Sequence, residues 1–204
     1  MSLILQGTSD TIFLKFCEVN KMKELSLNIL DIAENSVKAK ASEVDIIITE
    51  TDETLELTVS DNGTGMTKEI FEGVTDPFTT TRTTRKVGLG IPFLKLAAEQ
   101  TGGHFSIETR YIADYPDCHG TKTKAFFYKN HMDFTPLGDV ISTIVTLIQG
   151  SDNIDWNFVH TFPGGGAQLH TAELREVLGD VPLSNAEVLM WIKGFLEEQY
   201  SGEQ

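Results

Sequence analysis

The chain is short of basic charge, has almost no cysteine and lacks any long apolar run. Lys and Arg number 16 against 30 Asp and Glu, a formal net charge of -14 over 204 residues. Nucleic acid and anionic bilayers recruit proteins through basic surfaces, so neither is expected as the main partner. Against this acidic background, any local cluster of positive charge is conspicuous. Cys17 and Cys118 lie far apart and outside any C-x-x-C spacing, so neither a disulfide framework nor a zinc site is indicated. Cys118-His119 could form half a metal site, although a loop thiol beside a loop imidazole is the plainer reading. The most apolar late stretch, Val140 to Ile148, is too short and too rich in Ser and Thr to span a bilayer. The opening residues "MSLILQGTSDTIFLKF" lack a basic leader and are broken by Asp10, so no secretion signal is expected. The expectation is a soluble, cytoplasmic protein with a real core, since 40% of residues are hydrophobic and 23% charged.

Periodicity outlines the elements. Leu25, Ile29, Ile32, Ala33 and Ser36 share one face of a helix predicted over Leu25 to Lys40. "EVDIIIT" and "LELTVSD" read as strands. "TKEIFEG" reads as a short helix capped by Thr67 with Glu69 in its first turn. A second amphipathic helix runs from Pro92 to Thr101, with Phe93, Leu94, Ala97 and Ala98 inward and Gly102 ending it. "HFSIETR" and "TKTKAFFYK" add two strands around the loop Tyr111 to Gly120. This order predicts an α+β protein: a two-layer α/β sandwich on a mixed or antiparallel sheet. An early strand at Thr11 to Phe16 is also expected. Past about Asn130 the texture changes: a helix over Leu137 to Gln149, a strand "DWNFVHTF", a turn "PGGG", a short return strand to His170, and two helices. The first of these opens at Thr171 and closes at Gly179; Ser184 and Glu187 form a capping box for the second. The division is therefore an N-terminal extension 1-22, a domain 23-130 and a small α+β C-terminal module 131-204. Trp156 and Trp191 are expected in the core.

Four stretches carry chemistry. Asn28, Asp31, Asn35 and Lys38 recur at three and four residues, a polar stripe along the edge of the first helix's apolar face. Asp31 and Asn35 offer a carboxylate and an amide oxygen one turn apart, a donor pair that suits Mg²⁺ completed by water and phosphates; a solvated polar face has the same spacing. In "SDNGTGM", Asp61 ends a strand and hands over to a helix, on a backbone kept thin by Gly63 and Gly65. A carboxylate there can accept a hydrogen bond from a flat ligand that approaches closely. In "TTTRTTRKVGLGIP", Arg82, Arg85 and Lys86 gather positive charge before Gly88-Leu89-Gly90 and a helix N-terminus, a combination that holds phosphate. "HGTKTKAFF" places Gly120 and Thr121 at a strand start, where the hydroxyl could meet a ligand held by the Asp61 turn.

Together, "LDIAENSVKA", "DNGTGM", "GLGIPFLK" and "GTKTKAFF" resemble the N, G1, G2 and G3 boxes of the gyrase, heat-shock-chaperone, histidine-kinase and mismatch-repair ATPase superfamily. The resemblance covers Lys23 to Lys129. "KELSLNILDIAENSVKA" and "DPFTTTRTTRKVGLGIP" look most like small stand-alone histidine-kinase-like ATP-binding proteins of anaerobic bacteria. It implies a Bergerat-type fold with ATP in a cleft under a mobile lid, here Phe71 to Val87. By the same resemblance, Asn35 would coordinate Mg²⁺ and Lys38 would touch phosphate. Asp61 would receive the adenine amino group, Gly63, Gly65 and Met66 would shape its pocket, and Thr121 would assist. Gly88, Leu89 and Gly90 would offer amides to the phosphates, with Arg82 and Lys86 reaching inward. The family's hydrolysing members carry Glu where this chain has Asp31, one methylene shorter, and its histidine kinases commonly carry Asn. Asp31 is the candidate base.

Two functions follow as expectations. One is a Mg-ATP-binding phosphotransferase or ATPase acting on, or with, a separate partner protein. Self-phosphorylation in the usual manner is not expected, because only about twenty residues precede the N box and no acceptor His lies on a helix. The other is a nucleotide-dependent conformational switch or binding module with little or no catalysis. "PGGG" lacks a following Lys and helix, so it reads as a hairpin turn instead of a phosphate loop.

Overall fold

The computed structural model describes residues 24-75 and 90-202. The strand expected at Thr11 to Phe16 lies outside them, as do Arg82, Arg85, Lys86, Gly88 and Leu89. In chain order the elements are α1 (Leu25–Lys38), β1 (Glu43–Glu50), β2 (Thr54–Asp61), α2 (Lys68–Gly73), α3 (Gly90–Gln100), β3 (His104–Arg110), β4 (Gly120–Tyr128), α4 (Val140–Gly150), β5 (Asp155–Phe162), β6 (Gly165–His170), α5 (Thr171–Leu178) and α6 (Ala186–Ser201).

Alternation in the strands decides the layering. In β1, Val44, Ile46 and Ile48 are buried while Glu43 and Ile47 face outward; β2 buries Leu55, Leu57 and Val59 on the same side. Helices cover that side. α3 packs on β3 and β4, α1 on β1 and β2, and α6 on β6, with α4 between α1 and α6. The result is a two-layer α+β sandwich on one six-stranded mixed sheet in the order β3-β4-β2-β1-β5-β6. All pairings are antiparallel except β1 with β5. The opposite face is amphipathic, carrying a Lys124–Glu56 ion pair and a His104–Phe126 ring stack. α1 buries Leu25, Ile29, Ile32, Ala33 and Ser36, the face its periodicity predicts. Each fully buried Leu or Ile there contributes about 1.5–3 kcal/mol.

The change of texture after Asn130 marks no break in packing. β5 lies parallel to β1 from Glu43 to Thr49, and a parallel partner must come from chain that has first crossed over, here through α4. The N-terminus of α1 has no side-chain cap; the Leu25 and Ser26 amides donate instead to the carbonyls of Pro136 and Leu137, at 2.9 and 2.8 Å. Residues 131-202 thus extend the same sheet and the same apolar core. Two local readings change. Asn185, not Ser184, caps α6 by accepting from the Glu187 amide at 2.8 Å, while the Ser184 hydroxyl donates to Asp152. Trp156 is buried as expected, but Trp191 is 53% exposed and stacks on Phe195. A lone aromatic in an amphipathic helix does not say which side of the stripe it takes.

Candidate functional site

β2 ends at Asp61 on the helix-covered side, directly opposite Thr121 of β4 and Val44 of β1. Its carboxylate is held on both oxygens: Ser36 Oγ donates to Oδ2 at 2.7 Å, and the Gly63 amide donates to Oδ1 at 2.9 Å. Burial pushes the Asp61 carboxyl above the usual carboxylate range, against the pull of Ser36, Gly63, the Thr121 main chain and His119. A partly buried acceptor fixed in this way is aimed, not merely tolerated.

The turn after it must be thin. Gly65 has φ +66, and an added Cβ would lie 2.1 Å from the Arg110 carbonyl oxygen. Met66 packs against the core, and its amide donates to Thr109 Oγ1 at 2.8 Å. Thr109 Oγ1 also donates to the Gly120 carbonyl at 3.2 Å and lies 3.3 Å from Thr121 Oγ1. Asp61, Gly63, Gly65, Met66 and Thr121 therefore form one floor. Thr67 caps α2 by accepting from the Ile70 amide, as its position predicts.

α1 forms the wall. Ser36 joins it to Asp61, and Asn35 precedes Ser36 on the same helix. The Asn35 side-chain nitrogen is buried and has no hydrogen-bond partner among the described residues, so a donor is available to an acceptor such as a phosphate oxygen. One turn earlier, Asp31 meets the start of α3: a Cβ added to Gly90 would lie 2.6 Å from Asp31 Cβ and 3.2 Å from its Oδ2. Burial raises the Asp31 carboxyl above its usual range, Glu34 adds to the rise, and Lys38 opposes it. The stripe is not uniform. Asn28 is buried, with its own side-chain nitrogen unpartnered among the described residues, and Lys38 points to solvent, 3.2 Å from Glu34 in a pair more than half exposed on both sides.

Contacts thus tie Asp61, Gly63, Gly65, Met66 and Thr121 to α1 through Ser36, and Gly90 to Asp31 of the same helix, while Lys38 lies on that helix's exposed side. Arg82, Lys86, Gly88 and Leu89 lie outside the described residues. Sequence reading missed Ser36, Thr109 and His119 as parts of the site. Ser36 sits at an apolar-stripe position, and a small polar residue on a buried face was the one available signal. The oxygen donors of Asp31 and Asn35 are hard ligands of the kind Mg²⁺ takes one or two of, so these residues fit that ion. Among the described residues no helix is long and apolar enough to cross a membrane.

Known proteins resemble this chain at three levels. The family described as histidine kinase-, DNA gyrase B- and HSP90-like ATPase matches residues 21–131, just over half the chain. NtrY-like sensor histidine kinases, so named, of Rickettsia conorii and Rickettsia typhi are 26% identical over 95 residues, covering 46% of this chain and 16% of each relative. The chain thus matches only a small part of those proteins' length. Among solved structures, the ADP-complexed ATPase domain of Aquifex aeolicus MutL aligns with TM-score 0.49 and 13% identity, over 85% of this chain and 88% of that one. The N-terminal domain of a DNA repair protein aligns with TM-score 0.47 and 16% identity, over 73% and 52%. With its floor, wall and family match in place, the chain belongs to the histidine kinase-, DNA gyrase B- and HSP90-like ATPases and carries their ATP-binding domain.

Proposed function

We propose that this protein binds Mg-ATP between α1, the Asp61 turn and the start of α3, and transfers or hydrolyses the γ-phosphoryl group in concert with a separate partner protein in the cytoplasm. The observation that carries the reading is a held acceptor in the floor, bonded to the helix whose Asn35 supplies an unpaired donor. The Asp61 carboxylate is held by Ser36 and Gly63, and the side-chain nitrogen of Asn35, next to Ser36 in sequence, is buried without a partner among the described residues. Asp61 accepts from the exocyclic amine of adenine, on a floor shaped by Gly63, Gly65 and Met66 with the Thr121 hydroxyl beside it. Asn35 and the main chain at Gly90 face the phosphates, joined by Arg82, Lys86, Gly88 and Leu89. Lys38 leaves Glu34 to reach phosphate from the rim.

Mg²⁺, when bound, neutralises charge on the transferring phosphoryl group. Asp31 takes the proton of the attacking hydroxyl or water; its raised proton affinity favours that role, since a base works best near the operating pH. The test is incubation with γ-labelled ATP and Mg²⁺, comparing free phosphate with label retained on protein, for the wild type and Asp31→Asn. The expected result is a slow release of phosphate that Asp31→Asn abolishes while leaving ATP binding in place. Binding with neither product, in the absence of a partner, supports transfer in trans or a nucleotide-dependent switch. A folded protein that does not bind ATP in Mg²⁺ ends both readings.

A further inference from the structure

The loop between β3 and β4, Tyr111 to His119, is longer than a hairpin needs, and most of it is exposed. Its two ends nevertheless return to the turn that follows Asp61. The Ile112 amide donates to the Thr64 carbonyl at 2.9 Å. His119 Nδ1 lies 2.6 Å from the Gly63 carbonyl oxygen. A carbonyl can only accept, so Nδ1 carries the hydrogen, which leaves no part for this nitrogen in a metal site with Cys118.

The Gly63–Thr64 peptide is consequently gripped at both of its polar atoms. His119 holds the oxygen, and the Thr64 amide donates to the Ala39 carbonyl at the end of α1 at 2.9 Å. One peptide earlier, the Gly63 amide holds Asp61 Oδ1. Asp61 itself is therefore aimed by a chain of bonds whose outermost link is an imidazole from a loop. A turn containing two glycines has much conformational freedom to lose, and an external clamp removes that freedom before a ligand arrives.

We infer that His119 is a positioning residue for the base pocket: by fixing the Gly63–Thr64 peptide it sets Asp61 for recognition of an exocyclic amine on a purine. This rests on the nucleotide-binding reading above. The two can fail separately.

The experiment measures ADP and IDP affinities by calorimetry for the wild type, His119→Ala, His119→Phe and His119→Asn, with thermal midpoints recorded without nucleotide. IDP replaces the 6-amino donor by a carbonyl, so the ADP/IDP ratio reads the aim of Asp61 and not the general health of the fold. His119→Phe keeps a ring in place and removes the donor. His119→Asn restores an N–H near the position of Nδ1. The expected result is an ADP preference reduced about tenfold in Ala and Phe, with Asn returning to within about threefold of the wild type. An unchanged ratio in folded His119→Ala or His119→Phe overturns the inference while leaving nucleotide binding intact. So does a reduced ratio that Asn fails to restore. A wild type that binds neither nucleotide overturns the binding reading and this inference with it.

Discussion

The helix-covered face of the sheet carries polar groups at both ends, and the two ends are built in opposite ways. At the far end, His160 of β5 is 3% exposed and satisfied on both nitrogens, by Tyr200 OH at 2.7 Å and by Glu50 Oε1 at 3.0 Å. Glu50 Oε2 meets Lys129 Nζ at 2.6 Å, and Lys129 also donates to the Thr51 carbonyl at 2.9 Å. Burial and the Glu50 charge hold the Tyr200 phenol protonated far above its ordinary range. This cluster ties α6 to β1, β5 and the chain after β4, and its bonds close on one another. At the near end, Asp61 is equally well held, but on the helix that holds it the Asn35 amide nitrogen has no partner among the described residues. Buried polar groups that are mutually satisfied stabilise and specify a fold; a fixed acceptor next to an orphaned donor is an arrangement whose missing partner comes from elsewhere.

The largest expected effect comes from breaking the closed end. His160→Ala leaves a cavity and strands Glu50 and Tyr200, and should lower stability by about 3–4 kcal/mol in chemical denaturation, with ADP affinity unchanged. Next comes the open end. Asp61→Asn should cost about 100-fold in ADP affinity, since Asn presents an amide in which only one atom accepts. It should leave stability almost untouched, because burial already disfavours the charged form of the carboxylate it replaces. If His160→Ala weakens ADP as much as Asp61→Asn does, the two ends are not independent and the comparison fails.

The uneven legibility of the chain has the same origin. α1, β1 to β4 and α3 were readable because each presents a strong period, of 3.6 or 2, to one core. Asp61, Asn35 and Gly65 were readable because strand, turn glycines and helix stripe follow one another in local sequence. Ser36 and Thr109 were not, since each acts across 25 or more residues: Ser36 on Asp61, and Thr109 on Met66. No spacing rule announces such bonds. The union of residues 131-202 with the first sheet was hidden for a similar reason: parallel pairing of β5 with β1 is a non-local fact, and the "DWNFVHTF" pattern suits any half-buried strand. The caps of α6 show the limit at short range. Ser184 and Asn185 are both good capping residues, and only the competing bond from Ser184 to Asp152 decides between them.

The two ends should also respond to pH with opposite sign. The hydrogen bond from His160, helped by Lys129, holds the Glu50 carboxyl below its ordinary 4.5. Its contribution is therefore present above that value and is lost as pH falls through the folded-state value. Burial holds Asp61 above its ordinary 3.8. The folded state then binds a proton that the unfolded state has already released, so stability falls as pH rises from 3.8 through the raised value. Thermal midpoints between pH 3 and 7 should show Glu50→Gln losing part of the acid-side decline and Asp61→Asn losing part of the decline on rising pH. Parallel pH profiles for the two variants would contradict this account.

The smallest effect concerns Lys38, and it tests where the open end stops. As an exposed i,i+4 partner of Glu34, Lys38 contributes no more than about 0.5 kcal/mol to stability, so Lys38→Ala should be nearly silent in denaturation. Its side chain is nevertheless long and carries the one basic group on the polar stripe of α1. If it leaves Glu34 for phosphate, Lys38→Ala should weaken ATP more than adenosine, by about threefold to tenfold, and should flatten the salt dependence of ATP binding. Glu34→Gln should act in the other direction, since it frees the ammonium and removes a neighbouring negative charge. Equal losses for ATP and adenosine, or none, would confine the binding wall to Asp31 and Asn35 and leave Lys38 a surface residue in a solvated ion pair.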